Sequence, residues 1–143
     1  MRLSKALKYK KKLIKLLEED MEKIHTYNSS LSNIERVYNP MDCFTSYKKR
    51  LEELINLKAA IQKANVPVYD KIFRLSELKN VIIKLKRIPT EEGEIRYGNS
   101  EPLIRTVIFN KLTIDNLIKE SEDQIETIQE ELESYNATTE ITW

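Results

Sequence analysis

The chain has 143 residues, 41% of them apolar and 33% charged, with 24 basic and 23 acidic side chains and a formal charge of +1. That length fits one domain of amphipathic helices, and the charge balance offers no global field to a polyanion. The single cysteine, Cys43, excludes an internal disulfide framework and a cysteine-based zinc site, and no apolar run is long enough for a bilayer.

Gly93 and Gly98 are the only glycines, and both lie between Pro89 and Pro102. About ten glycines would be ordinary for this length at ~7% usage, so most of the chain reads as helix and its one irregular stretch falls there.

Lysines interrupt every apolar run after Leu3, so no signal peptide is expected and the expected location is the cytoplasm. Apolar residues recur at Leu3, Leu7, Leu13, Leu17, Met21, Ile24, Leu31 and Ile34. This spacing predicts a first helix over about 3–37, weakest at Tyr27-Asn28-Ser29-Ser30.

Its start carries Arg2, Lys5, Lys8, Lys10, Lys11, Lys12 and Lys15 with no acid. Residues 119–143 carry Glu120, Glu122, Asp123, Glu126, Glu130, Glu131, Glu133 and Glu140 against Lys119 alone. The preferred reading sets residues 3–17 antiparallel beside 120–135, within one subunit or between two. A membrane-surface helix would need Trp or Phe anchors, and a nucleic-acid interface would need more stacking aromatics than Tyr9. Neither a membrane nor a nucleic acid is an expected partner. His25 has no second His or Cys at ligand spacing, so no metal, cofactor or catalytic role is assigned to it.

After Pro40, Asp42 is the expected cap of a second helix over about 43–64, with Phe44, Tyr47, Leu51, Leu54, Leu57 and Ile61 on its apolar face. Cys43 has no histidine in reach, and nucleophilic chemistry is not expected of it. Beyond Asn65-Val66-Pro67, a third helix over about 69–87 places Ile72, Leu75, Leu78, Ile82 and Leu85 on one face. Val81 and Ile83 suggest a second buried surface.

Glu94-Ile95-Arg96-Tyr97 and Leu103–Phe109 are rich in β-branched and aromatic residues, separated by turn-forming Gly98–Pro102. They predict a β-hairpin over about 94–109. Two strands alone are marginal in water, so the hairpin must pack on helices or pair with another subunit. The last helix, about 113–136, repeats Ile114, Ile118, Ser121, Ile125, Ile128, Leu132 and Tyr135 at four-three steps, a coiled-coil-like seam.

The expected fold is mainly α, a single domain over 1–143. Long antiparallel helices form a helical hairpin or four-helix bundle with one short β-hairpin insertion, assembled as a homo-oligomer. The hairpin region is the most site-like. Arg96 and Arg105 can pair with phosphate or carboxylate, Tyr97 offers a stacking face, and Asn99 and Thr106 supply polar edges. Lys84, Lys86 and Arg87 lie just upstream, and Ser100 and Asn110 add further polar groups. The alternative is that Arg96 and Arg105 pair with Glu91, Glu92, Glu94 or Glu101 and the hairpin serves assembly alone.

Four segments carry a family likeness: Arg96–Val107 (RYGNSEPLIRTV), Leu75–Leu78 (LSEL), Asn65, and Asn136–Ile141 (NATTEI). Together they resemble a family of small helical bacterial and phage proteins often labelled septicolysin. The likeness runs the length of the chain, but residues 8–60 match only in helical pattern. The family's Arg-Asp step is replaced near Val81 and Ile82, and a Trp expected after the terminal Asn is replaced by Ala137. The resemblance implies an all-helical oligomer with a small β-insertion and implies no activity. No segment reads as a pore-forming hairpin that would support a lysin.

The functional expectation is a non-enzymatic oligomer that captures a small anionic ligand, of nucleotide signalling type, at subunit junctions, as a phage sequestering protein would. The alternative is a coiled-coil adaptor that binds another protein.

Overall fold

The structure, a computed structural model, describes all residues from Met1 to Trp143. It is mainly helical: α1 Leu3–Tyr27, α2 Pro40–Asn65, α3 Tyr69–Lys86 and α4 Lys111–Thr138, with strands β1 Gly93–Ile95 and β2 Leu103–Arg105. Residues 1–67 with 133–143 form one compact unit, and 68–132 form a second.

In the first unit α1 and α2 pack antiparallel. Leu3, Ala6, Leu13 and Leu17 of α1 meet Leu54, Leu57 and Ile61 of α2 and Ile141 in one core cluster. Leu3, Leu13 and Leu57 are the largest side chains lost entirely from solvent. Two polar links cross the pair: Tyr9 Oη donates to Glu53 Oε1 at 2.6 Å, and Arg50 Nη1 meets Asp20 Oδ2 at 2.7 Å. The bond to Glu53, aided by burial, raises the Tyr9 phenol above its usual range, because it favours the protonated hydroxyl.

The chain ends join this unit by backbone pairing. Leu3 N donates to Thr139 O and Ile141 N to Met1 O, each at 2.8 Å, around an antiparallel bridge between Arg2 and Glu140. Tyr135 Oη donates to the Ala64 carbonyl at 2.7 Å, fixing the last turns of α4 against the end of α2. Opposite charges at the ends therefore meet at single points. Glu140 faces the Met1 amine at 3.2 Å and Arg2 Nε at 3.7 Å. The lysines of α1 form no ion pair within the chain. The backbone bridge fixes which charges meet, and it selects Glu140.

Three expectations are corrected. The first helix stops at Tyr27 instead of continuing to 37, leaving Leu31 and Ile34 exposed. Ser30 Oγ donates to the Leu31 carbonyl at 3.3 Å, and Arg36 closes the helix end by donating from Nε to Tyr27 O at 2.7 Å and from Nη2 to Asn28 O. The second helix begins at Pro40 rather than 43. Asn39 caps it by accepting from Met41 N at 2.9 Å, while Asp42 sits in the first turn near the positive helix end. Cys43 is buried and Phe44, expected on the apolar face, is exposed, because Cys43 lies three turns before Leu54 on the buried stripe and Phe44 is turned about 100° from it.

In the second unit, Lys71 Nζ meets Glu131 Oε2 at 3.0 Å, so the start of α3 lies beside the later turns of α4. Along α4, Ile114, Ser121 and Ile128 are buried at seven-residue intervals, as a helical seam demands. Asn110 caps α4 through Oδ1, which accepts from Thr113 N at 2.8 Å and from its hydroxyl at 2.9 Å. On α3 no residue is fully buried: Leu75, Leu78, Ile82 and Leu85 are half-buried, whereas Phe73, Val81 and Ile83 are exposed. The second buried surface expected from Val81 and Ile83 is not covered within the chain.

Candidate functional site

The hairpin forms where expected but is shorter. Its antiparallel register pairs Gly93 with Arg105, Glu94 with Ile104 and Ile95 with Leu103. Pairing ends at Arg105, and Ile108, in the remainder of the expected second strand, is almost wholly exposed. Between the strands Ser100 N donates to Tyr97 O at 3.2 Å, closing a turn on Gly98, whose φ is +63°. Positive φ at the first central position is what a type II′ turn requires and what glycine adopts without strain.

Strand alternation sorts the candidate residues between two faces. Glu94 and Ile104 point to one side, and Ile95, Leu103 and Arg105 to the other. Arg96 lies two residues beyond Glu94, and its Nε sits 3.7 Å from Glu94 Oε1, which places it on the Glu94 side. The two arginines expected to close on one ligand therefore stand on opposite faces of the ribbon. Arg105 Nη1 reaches Glu91 Oε2 at 3.9 Å. Both pairs are long and exposed, and contacts of this kind hold side chains weakly.

Tyr97 is 62% exposed, and Asn99 and Thr106 are exposed as well. Lys84 and Arg87 stand at the end of α3, where Arg87 N caps the helix by donating to Lys84 O and Leu85 O. Their charges suit the negative end of that helix. The hairpin thus presents a cationic and aromatic edge to solvent without enclosing a volume of its own.

No three His, Cys, Asp or Glu side chains converge as a metal site. No buried side-chain nitrogen or oxygen lacks a hydrogen-bond partner, so no orphaned polar group points toward a ligand. His25 is exposed and Cys43 buried. A groove of about 380 Å³ in the second unit, lined by Arg74, Glu120, Asp123, Gln124, Thr127 and Ile128, was not anticipated. Its size suits a small molecule, but two carboxylates against one guanidinium oppose an anion. The four polar α4 positions at one-, three- and four-residue steps beside the seam were its sequence signal. No helix is long and apolar enough to cross a membrane. Comparison with protein-family models, curated proteins and solved structures finds no match.

Proposed function

We propose that the protein is a non-enzymatic helical interaction protein that works as a homo-oligomer, its copies joining through the β-hairpin and the outer side of α3. The supporting observation is the apolar surface that residues 68–132 leave in water: Phe73, Tyr97, Leu103, Ile104, Ile108 and Leu112 are each 60% exposed or more. A two-stranded ribbon with both edges open is marginal by itself, and pairing with a second copy supplies what it lacks. The assembly implied by the septicolysin-type resemblance agrees with this reading.

Replacing Leu103 and Ile104 together by Asp puts charge on both ribbon faces. Self-association measured by sedimentation should weaken about tenfold or more, given ~1.5–3 kcal/mol per large apolar side chain buried, with the helical circular dichroism retained. Unchanged association would refute the hairpin's part in the interface.

A second reading adds a small anionic ligand at the same junction. Its support is the availability of Arg96 and Arg105, which weak pairs with Glu94 and Glu91 leave free to exchange for phosphate. Because the two guanidiniums face opposite ways in one copy, such a ligand would take one from each of two copies, with Tyr97 stacking on a base. Arg96→Ala with Arg105→Ala should then abolish nucleotide-induced thermal stabilisation. If wild-type protein gains no stability from any nucleotide and releases none on denaturation, this reading fails.

A further inference from the structure

We infer that copies of this chain also meet through an electrostatic clasp, the lysine stripe of α1 on one copy lying along the glutamate stripe of α4 on another. This inference rests on the self-assembly reading above. Lys5, Lys8, Lys12 and Lys15 recur at three-, four- and three-residue steps, which places them in one row on a helix, and all four are exposed. Leu3, Ala6, Leu13 and Leu17 occupy the opposite, buried side.

None of the four lysines has a carboxylate within ion-pair distance. A row of like charges at these steps weakens its own helix unless opposite charge arrives from outside. On α4, Glu122, Glu126, Glu130 and Glu133 recur at four-, four- and three-residue steps, exposed and free of ion pairs, across the helix from Ile114, Ser121 and Ile128.

The two rows match in length as well as sign. Ten residues separate Lys5 from Lys15 and eleven separate Glu122 from Glu133, about 15 and 16 Å at 1.5 Å per residue. Helices packed at the usual ~8–10 Å would bring ammonium and carboxylate within reach of each other along both rows. A free polyanion could answer the lysines but would leave the glutamate row unanswered. A second copy answers both.

Four proteins test this by sedimentation at low and high salt: wild type, the variant K5E/K8E/K12E/K15E, the variant E122K/E126K/E130K/E133K, and the variant carrying all eight changes. Each single-row reversal should weaken association about tenfold or more at low salt, and added salt should weaken the wild type in the same direction. An equimolar mixture of the two single-row variants should associate again, as should the eightfold variant, because opposite rows then face each other.

The milder variant K5Q/K8Q/K12Q/K15Q relieves like-charge repulsion within α1, so it tests the contact without endangering the helix. It should also weaken association. A strictly monomeric wild type would overturn the self-assembly reading itself. Salt-independent association that every variant retains would overturn the clasp alone. Loss in the lysine variant with no recovery in the mixture would assign the lysines to another anion and also overturn the clasp.

Discussion

Leu57→Ala is expected to lower the free energy of unfolding by about 3–4 kcal/mol, within the range of fully buried leucine truncations. Leu57 is 0% exposed at the centre of the cluster that joins α1 to α2. The loss combines the transfer energy of the removed carbons with the cavity they leave, because close-packed neighbours refill such a space only in part. The effect is large because this cluster is the chain's one contiguous buried core, and every member lies in residues 1–67 or 133–143. Ile55→Ala, two residues away and half-exposed, is the control and should change stability by no more than about 0.5 kcal/mol. Urea unfolding followed by circular dichroism measures both. A Leu57→Ala cost below about 1 kcal/mol would show that the α1–α2 contact is not packed as described.

Arg50→Ala should cost about 2–3 kcal/mol, toward the low end for a broken buried ion pair because the guanidinium keeps a third of its surface in water. Its partner Asp20 is only 4% exposed, on the side of α1 that faces α2. Without Arg50 that carboxylate loses its compensating charge and cannot regain full hydration. The penalty therefore belongs to the orphaned acid more than to the lost attraction. Replacing both partners, Asp20→Leu with Arg50→Met, should recover most of the stability, since two apolar side chains can fill the same space without burying charge. If both the single and the double variant unfold at the wild-type urea midpoint, the ion pair contributes nothing to the packing of α1 on α2.

The helices were legible because apolar residues three and four apart leave few alternatives, and prolines bound them. The hairpin was legible because β-branched runs flank Gly98, where the chain needs positive φ. The end of α1 was misread for an instructive reason. Leu31 and Ile34 continue the helical spacing beyond Tyr27, and spacing alone cannot show that Asn28–Ser30 and the Arg36 guanidinium close the helix earlier. The start of α2 was shifted because Asn39-Pro40 and Asp42 both fit a cap, and Cys43 rather than Phe44 is buried because it lies eleven residues, three helical turns, before Leu54.

At the hairpin, composition pointed to polar and cationic residues, which are exposed, but could not set their directions. Pairing Glu94 with Ile104 is what separates Arg96 from Arg105, and register depends on where both strands begin. The meeting of the chain ends was legible as attraction between charges. Its location at Glu140 depends on the bridge with Arg2, which no charge count contains.

Sedimentation equilibrium of the wild-type chain across the micromolar range tests most directly whether residues 68–132 need a second copy to cover their apolar surface. The expected result is a mass that rises with concentration above that of the 16.9 kDa chain. A mass fixed at the single chain throughout that range would contradict it.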